Sequence, residues 1–133
     1  MNKPNEFTVT SHFEGKALIV REIYDRLIKT IKGFGPIVEE PKKTSIHIVH
    51  GSALAGVSTR KDALWLNIRT DFKIKSPRIH KIDQVSAKRF HNELKLTSPD
   101  DIDDELIGWL KSAYELGELF IYTIATNSGC RGF

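Results

Sequence analysis

Residues 44–71 constrain the fold of this chain more than any other stretch. Three short runs, Thr44–His50, Ala53–Thr59 and Ala63–Arg69, are separated by Gly51-Ser52 and by Arg60-Lys61-Asp62. In the third run Leu64, Leu66 and Ile68 alternate with Trp65, Asn67 and Arg69, and in the first Ile46 and Ile48 flank His47. Successive side chains of a strand point to opposite faces. A period of two punctuated by turn residues therefore predicts an antiparallel meander with one buried face. The other face carries His47, Trp65, Asn67 and Arg69.

Upstream, Ser11-His12-Phe13-Glu14 has the form of a capping box, a hydroxyl followed three residues later by an acid. Behind it Leu18, Val20, Ile23, Tyr24, Leu27, Ile28 and Ile31 recur at helical spacing. They predict an amphipathic helix of about six turns or slightly fewer. Gly33, Gly35 and Pro36 end it, and Ile37–Glu40 is a candidate first strand stopped by Pro41. Residues 72–88 hold an irregular strand through Phe72 and Ile74 and then a basic loop broken at Ser76-Pro77. Arg89–Leu96 alternates again, with Phe90, Leu94 and Leu96 on one face and Arg89, His91, Glu93 and Lys95 on the other.

Ser98-Pro99-Asp100-Asp101 supplies a cap hydroxyl, a proline at the first helical position and first-turn acids. The stripe Ile102, Leu106, Trp109, Leu110, Ala113 and Tyr114 follows, with Gly117 as a possible stop. Leu119–Ile124 either extends that helix or packs separately, and Thr126–Phe133 reads as a mobile tail. The fold class is α+β: an antiparallel sheet of four or five strands with an N-terminal and a C-terminal helix on one face. At 133 residues this is a single domain, with an ordered core of about residues 11–118 and a tail from 119.

No apolar stretch approaches membrane-spanning length, and Met1-Asn2-Lys3-Pro4 opens no signal peptide. The single Cys130 makes no internal disulfide, so a cytoplasmic location is expected. The net charge of +3 is unevenly spread. Lys42–Lys95 has 12 Lys and Arg against 4 Asp and Glu, whereas Leu96–Phe133 has 2 against 7. That asymmetry fits solubility or internal charge matching, and it also fits a surface that attracts phosphate or carboxylate.

The motifs His12-Phe13-Glu14-Gly15, Tyr24-Asp25-Arg26-Leu27, Gly35-Pro36 and Pro41-Lys42-Lys43-Thr44 resemble a bacterial family of small domains. The likeness continues through Arg60-Lys61, Arg89-Phe90-His91 and Asp101-Ile102-Asp103 to Trp109-Leu110 and Ala113-Tyr114-Glu115. That family is domain-of-unknown-function family 5655, sometimes labelled a predicted transport protein. The resemblance covers roughly residues 11–116. It implies an α+β domain and no established activity.

Enzymatic constellations are sparse. Gly33-Phe34-Gly35-Pro36 closes a helix rather than preceding one, so it is no phosphate cradle. The five histidines lack metal-ligand spacing, and no metal or cofactor is expected. Asp100, Asp101, Asp103, Asp104 and Glu105 answer a helix dipole rather than a cation, Ser98 is a cap rather than a nucleophile, and Cys130 has no evident activator.

What remains is the polar sheet face, with His47, Trp65, Asn67, Arg69, Arg89 and His91 projecting together and Lys43, Arg60 and Lys61 at its rim. A guanidinium beside an indole makes a platform for a base or a phosphorylated group, and the competing account is a polar exposed face with no ligand. The leading expectation is a non-catalytic binding module for nucleic acid or a small anionic ligand. The alternatives are a small enzyme using His91, His47 and Arg69, and an interaction domain or homodimer whose partner covers Trp65 or residues 119–124. A deep pocket enclosing the two histidines and Arg69 favours the enzyme, and a flat surface counts against it.

Overall fold

The computed structural model describes the backbone of residues 7–131 and the side-chain surroundings as far as residue 118. A 3-10 turn at Thr10–Phe13 precedes helix α1, Leu18–Lys32. Six strands follow: β1 Val38–Pro41, β2 Ile46–His50, β3 Ser52–Thr59, β4 Leu64–Thr70, β5 Ile79–Ser86 and β6 Arg89–Leu96. A second 3-10 turn, Pro99–Asp101, leads into helix α2, Asp104–Arg131. The strands form one antiparallel sheet in the order β1-β2-β3-β4-β6-β5. Both helices cover the same face of it. Ile46, Ile48, Val57, Leu66, Ile68 and Leu94 meet Ile23, Leu27 and Ile31 of α1 and Leu106, Leu110 and Ala113 of α2 there.

Six strands rather than four or five are present, and the added one is β5, where a basic loop was expected. Its apolar residues, Ile79, Ile82 and Val85, fall at intervals of three, because the β5–β6 register slips between Ile79 and Lys81 and again between Gln84 and Ser86. Each slip reverses side-chain parity, so the strand carries no period of two. It is an outer strand, exposed along almost its whole length. Phe72 and Ile74 belong instead to a connection that carries the chain past β6. Ile74 is buried, and its N–H donates to Asn92 Oδ1 at 3.1 Å.

Helix α1 is shorter than expected. Ser11 makes no box with Glu14; it exchanges hydrogen bonds with Thr8, and its hydroxyl donates to Thr8 O at 2.7 Å. Gly15, at φ 74°, breaks the path before the helix proper begins. Leu18, assigned above to the buried stripe, stands 83% exposed at the first helical position, whereas Val20 to Ile31 of that stripe are buried.

The second helix start comes in two stages. Ser98 and Asp101 form the capping box around the 3-10 turn, and Asp103 then accepts from Leu106 N at 3.0 Å to begin α2. Gly117 does not stop that helix, and the segment expected as a mobile tail is helical as far as Arg131. At Gly117 a Cβ would collide with the carbonyl oxygen of His50, so glycine there lets α2 lie against the β2–β3 turn. The proposed packing of residues 119–124 lies outside the described side chains.

Candidate functional site on the open face of the sheet

Strand pairing places the odd-numbered residues of β2, β4 and β6, and Gly56 and Ser58 of β3, in rows on the face away from the helices. One row runs His47, Gly56, Asn67, Glu93. A second runs Ser58, Trp65, Lys95, and a third Arg69, His91, Asp83. Where β3 contributes only Gly56, flanked along the strand by Ser58 and a small alanine, the face sinks. The result is a half-open hollow of about 360 Å³ lined by His47, Trp65, Asn67, Arg69, His91 and Glu93 among others, with no helical residue in its wall.

Five of the nine residues singled out from the sequence, His47, Trp65, Asn67, Arg69 and His91, therefore meet in one place. The other four stand apart. Lys43 lies exposed in the β1–β2 turn, and Arg60 and Lys61 lie exposed in the β3–β4 turn. Arg60 Nη1 donates to Thr59 O at 3.1 Å, and Lys61 O accepts from Ala17 N at 2.7 Å. Arg89 is exposed at the start of β6 and borders a different, smaller cleft. Arg78, one of the basic residues of the connection, is drawn to α2, bonding to Asp103 at 2.9 Å and Glu105 at 3.1 Å.

Arg69 is the unusual member. It keeps 7% of its surface exposed, and one guanidinium nitrogen donates to Ser52 Oγ. Its Nε has no hydrogen-bond partner, and among the described residues no carboxylate pairs with it. Burial, then the neighbouring Arg89, hold its pKa below the ordinary arginine value. Burial also lowers the pKa of His91, helped by Arg69 and Arg89 and opposed by Asp83 across the β5–β6 pair. Trp65 meets His80 of β5 edge-on at 5.0 Å.

Residues that sequence reasoning passed over include Glu93, which parity already put on this face, and Ser52, which reads as a turn residue. Asn92 is the third. It is fully buried on the helix-side face and donates to Ile68 O at 3.0 Å and Thr70 Oγ1 at 2.8 Å besides accepting from Ile74 N. His50 stacks on Tyr114 of α2 at 3.8 Å and 8°, outside the hollow. Among the described residues no acid, histidine or cysteine cluster has the form of a metal site, and no helix is long and apolar enough to cross a membrane.

A family model described as "Domain of unknown function (DUF5655)" matches residues 9–117. No curated protein and no solved structure matches the chain.

Proposed function

Because this chain belongs to the DUF5655 domain family, whose description assigns no activity, we propose its function from the site alone: a binding module that takes a small anionic ligand in the open-face hollow. The observation that carries this is Arg69, a buried guanidinium on the hollow wall with which no carboxylate pairs among the described residues. Burying an unpaired cation costs several kcal/mol in effect, and a ligand anion is the natural counter-charge. Trp65 and His47 offer flat faces for a ring, and Asn67 offers both a donor and an acceptor.

A small ligand is favoured over a nucleic-acid strand. A strand needs a continuous cationic track, whereas Glu93 lies in the hollow and Asp83 beside His91. The lysines and arginine expected at the rim also stand away from it. Catalysis is the second reading, supported by the presence of both His47 and His91 in the wall beside Arg69.

The test is an NMR titration with adenosine 5′-monophosphate, citrate and a short single-stranded oligonucleotide. Saturable shifts at Gly56, Asn67 and the Trp65 indole are expected with the small anions. Gly56→Val, whose Cβ has space and whose methyls fill the hollow, should abolish them. Silence from both small anions overturns the proposal. Tight, salt-steep binding of the oligonucleotide alone transfers it to nucleic acid.

A further inference from the structure

Arg69 borders two cavities. On one side is the hollow, and on the other a cleft of about 100 Å³ at the end of the sheet, between the β2–β3 and β5–β6 turns and α2. We propose that this cleft is a phosphoryl subsite, formed by Arg69, Lys88, Arg89 and Ser52, that holds the phosphate of a ring-bearing phosphate monoester whose body lies in the hollow. The inference rests on the small-anion reading above and adds where the charge goes and what class of molecule carries it.

Charge separates the two cavities. Every charged residue bordering the cleft is a cation, Arg69, Lys88 and Arg89, and none of the three has an ion-pair partner among the described residues. The hollow contains Glu93, which repels a phosphate. Hydrogen-bonding capacity agrees. Ser52 Oγ accepts from Arg69, so its own O–H remains available as a donor. Thr70 also borders the cleft, but its hydroxyl donates to Phe72 O and accepts from Asn92. With Nη1 on Ser52, Nη2 has no hydrogen-bond partner among the described residues and is the guanidinium nitrogen left for a tetrahedral oxyanion.

Size and distance fix the class. The cleft, about 100 Å³ against about 360 Å³ for the hollow by the same measure, suits the smaller phosphoryl part of such a ligand, and the hollow suits its ring. Trp65 and Arg69 are four residues apart on one strand, about 13 Å at about 3.3 Å per residue. A ring leaning on the indole over Asn67, two residues and so about 7 Å from Arg69, puts its phosphate within reach of the guanidinium.

The test is calorimetric titration at constant ionic strength, made up with chloride, using inorganic phosphate, adenosine 5′-monophosphate and adenosine. Both phosphates are expected to bind the native chain, the monoester more tightly. Lys88→Ala/Arg89→Ala, a change of two exposed side chains, should weaken both at least tenfold. Gly56→Val should leave inorganic phosphate unchanged while reducing the monoester to the same affinity. Three results overturn the subsite. If phosphate binding survives the double substitution or is lost in Gly56→Val, the anion sits in the hollow and only the small-anion reading stands. If inorganic phosphate binds and the monoester does not, the two cavities do not act together. If neither phosphate binds, the cleft is no subsite, and the citrate titration decides separately whether the hollow takes anions at all.

Discussion

Arg69 occupies a position where an apolar side chain of similar length would have no charge to desolvate. Such buried ionic groups, when replaced by hydrophobic ones, often leave a protein equally or more stable. Arg69→Met is therefore expected to unfold at the same or a higher temperature in anion-free buffer, by a margin equivalent to about 1 kcal/mol. It should also lack the rise in Tm expected of the native chain in phosphate, since a ligand stabilises only the state that binds it. Scanning calorimetry with and without phosphate reads both. Asn92 is the opposite case, a buried polar group whose hydrogen bonds are all internal. Asn92→Leu leaves Ile74 N short of its partner and is expected to cost about 1–3 kcal/mol in urea unfolding, the penalty of one stranded donor. Alternation could not announce this role. In the row Phe90, Asn92, Leu94, Leu96 an asparagine reads as an interruption until the crossing connection that it fastens is in view.

Elements were legible where burial on one face imposed a period, and illegible where nothing did. Strands β2, β4 and β6 and the stripes of both helices follow from that rule. The hollow's central residues were found by it too, because parity alone brings Trp65, Asn67, Arg69 and His91 together. Strand β5 escaped because its exposed residues bury too little to need a pattern and its two register slips scramble parity. For the turn residues Lys43, Arg60 and Lys61, sequence shows that they are basic but not which way a turn points them, and none of the three lines the hollow. Gly117 shows how packing overrides propensity. Glycine inside a helix ordinarily costs about 1 kcal/mol relative to alanine. Here Gly117→Ala is expected to destabilise by about 2 kcal/mol or more, because the new Cβ meets backbone rather than a movable side chain. Chemical denaturation gives the sign directly, and loss of phosphate affinity should accompany it, since the displaced turn carries Ser52.

At the scale of the molecule, the excess of cations between residues 42 and 95 is partly answered by the acids that open α2, through Arg78. Three of the cations that are not answered, Arg69, Lys88 and Arg89, gather at one cleft, and because Arg69 and Arg89 act on His91, ligand binding there is expected to depend on pH. His91 has its pKa below the ordinary value of 6.5 in the folded chain. The unfolded chain therefore takes up its proton first as pH falls. The neutral imidazole's contribution to stability is full above that ordinary value and is lost as pH falls through the window beneath it. An anion beside Arg69 relieves the cationic environment and raises the His91 pKa, so binding draws in a proton. Affinity for sulfate, which does not titrate in this range, is expected to rise several-fold from pH 7.5 to 5.5, and His91→Gln should flatten that slope. Calorimetry across the interval measures both.

The outermost position of β5 has one more consequence. With β6 as its sole neighbour, its backbone amides are guarded on one side only, and slips at both ends shorten the ladder that holds it. In deuterium-uptake measurements this ribbon should breathe long before β4 or β6 do. His80 leans on Trp65 and Asp83 faces His91 across the last pairing. Each such fluctuation is expected to free Trp65 and His91 of the hollow's wall from their β5 neighbours while the central strands hold their register.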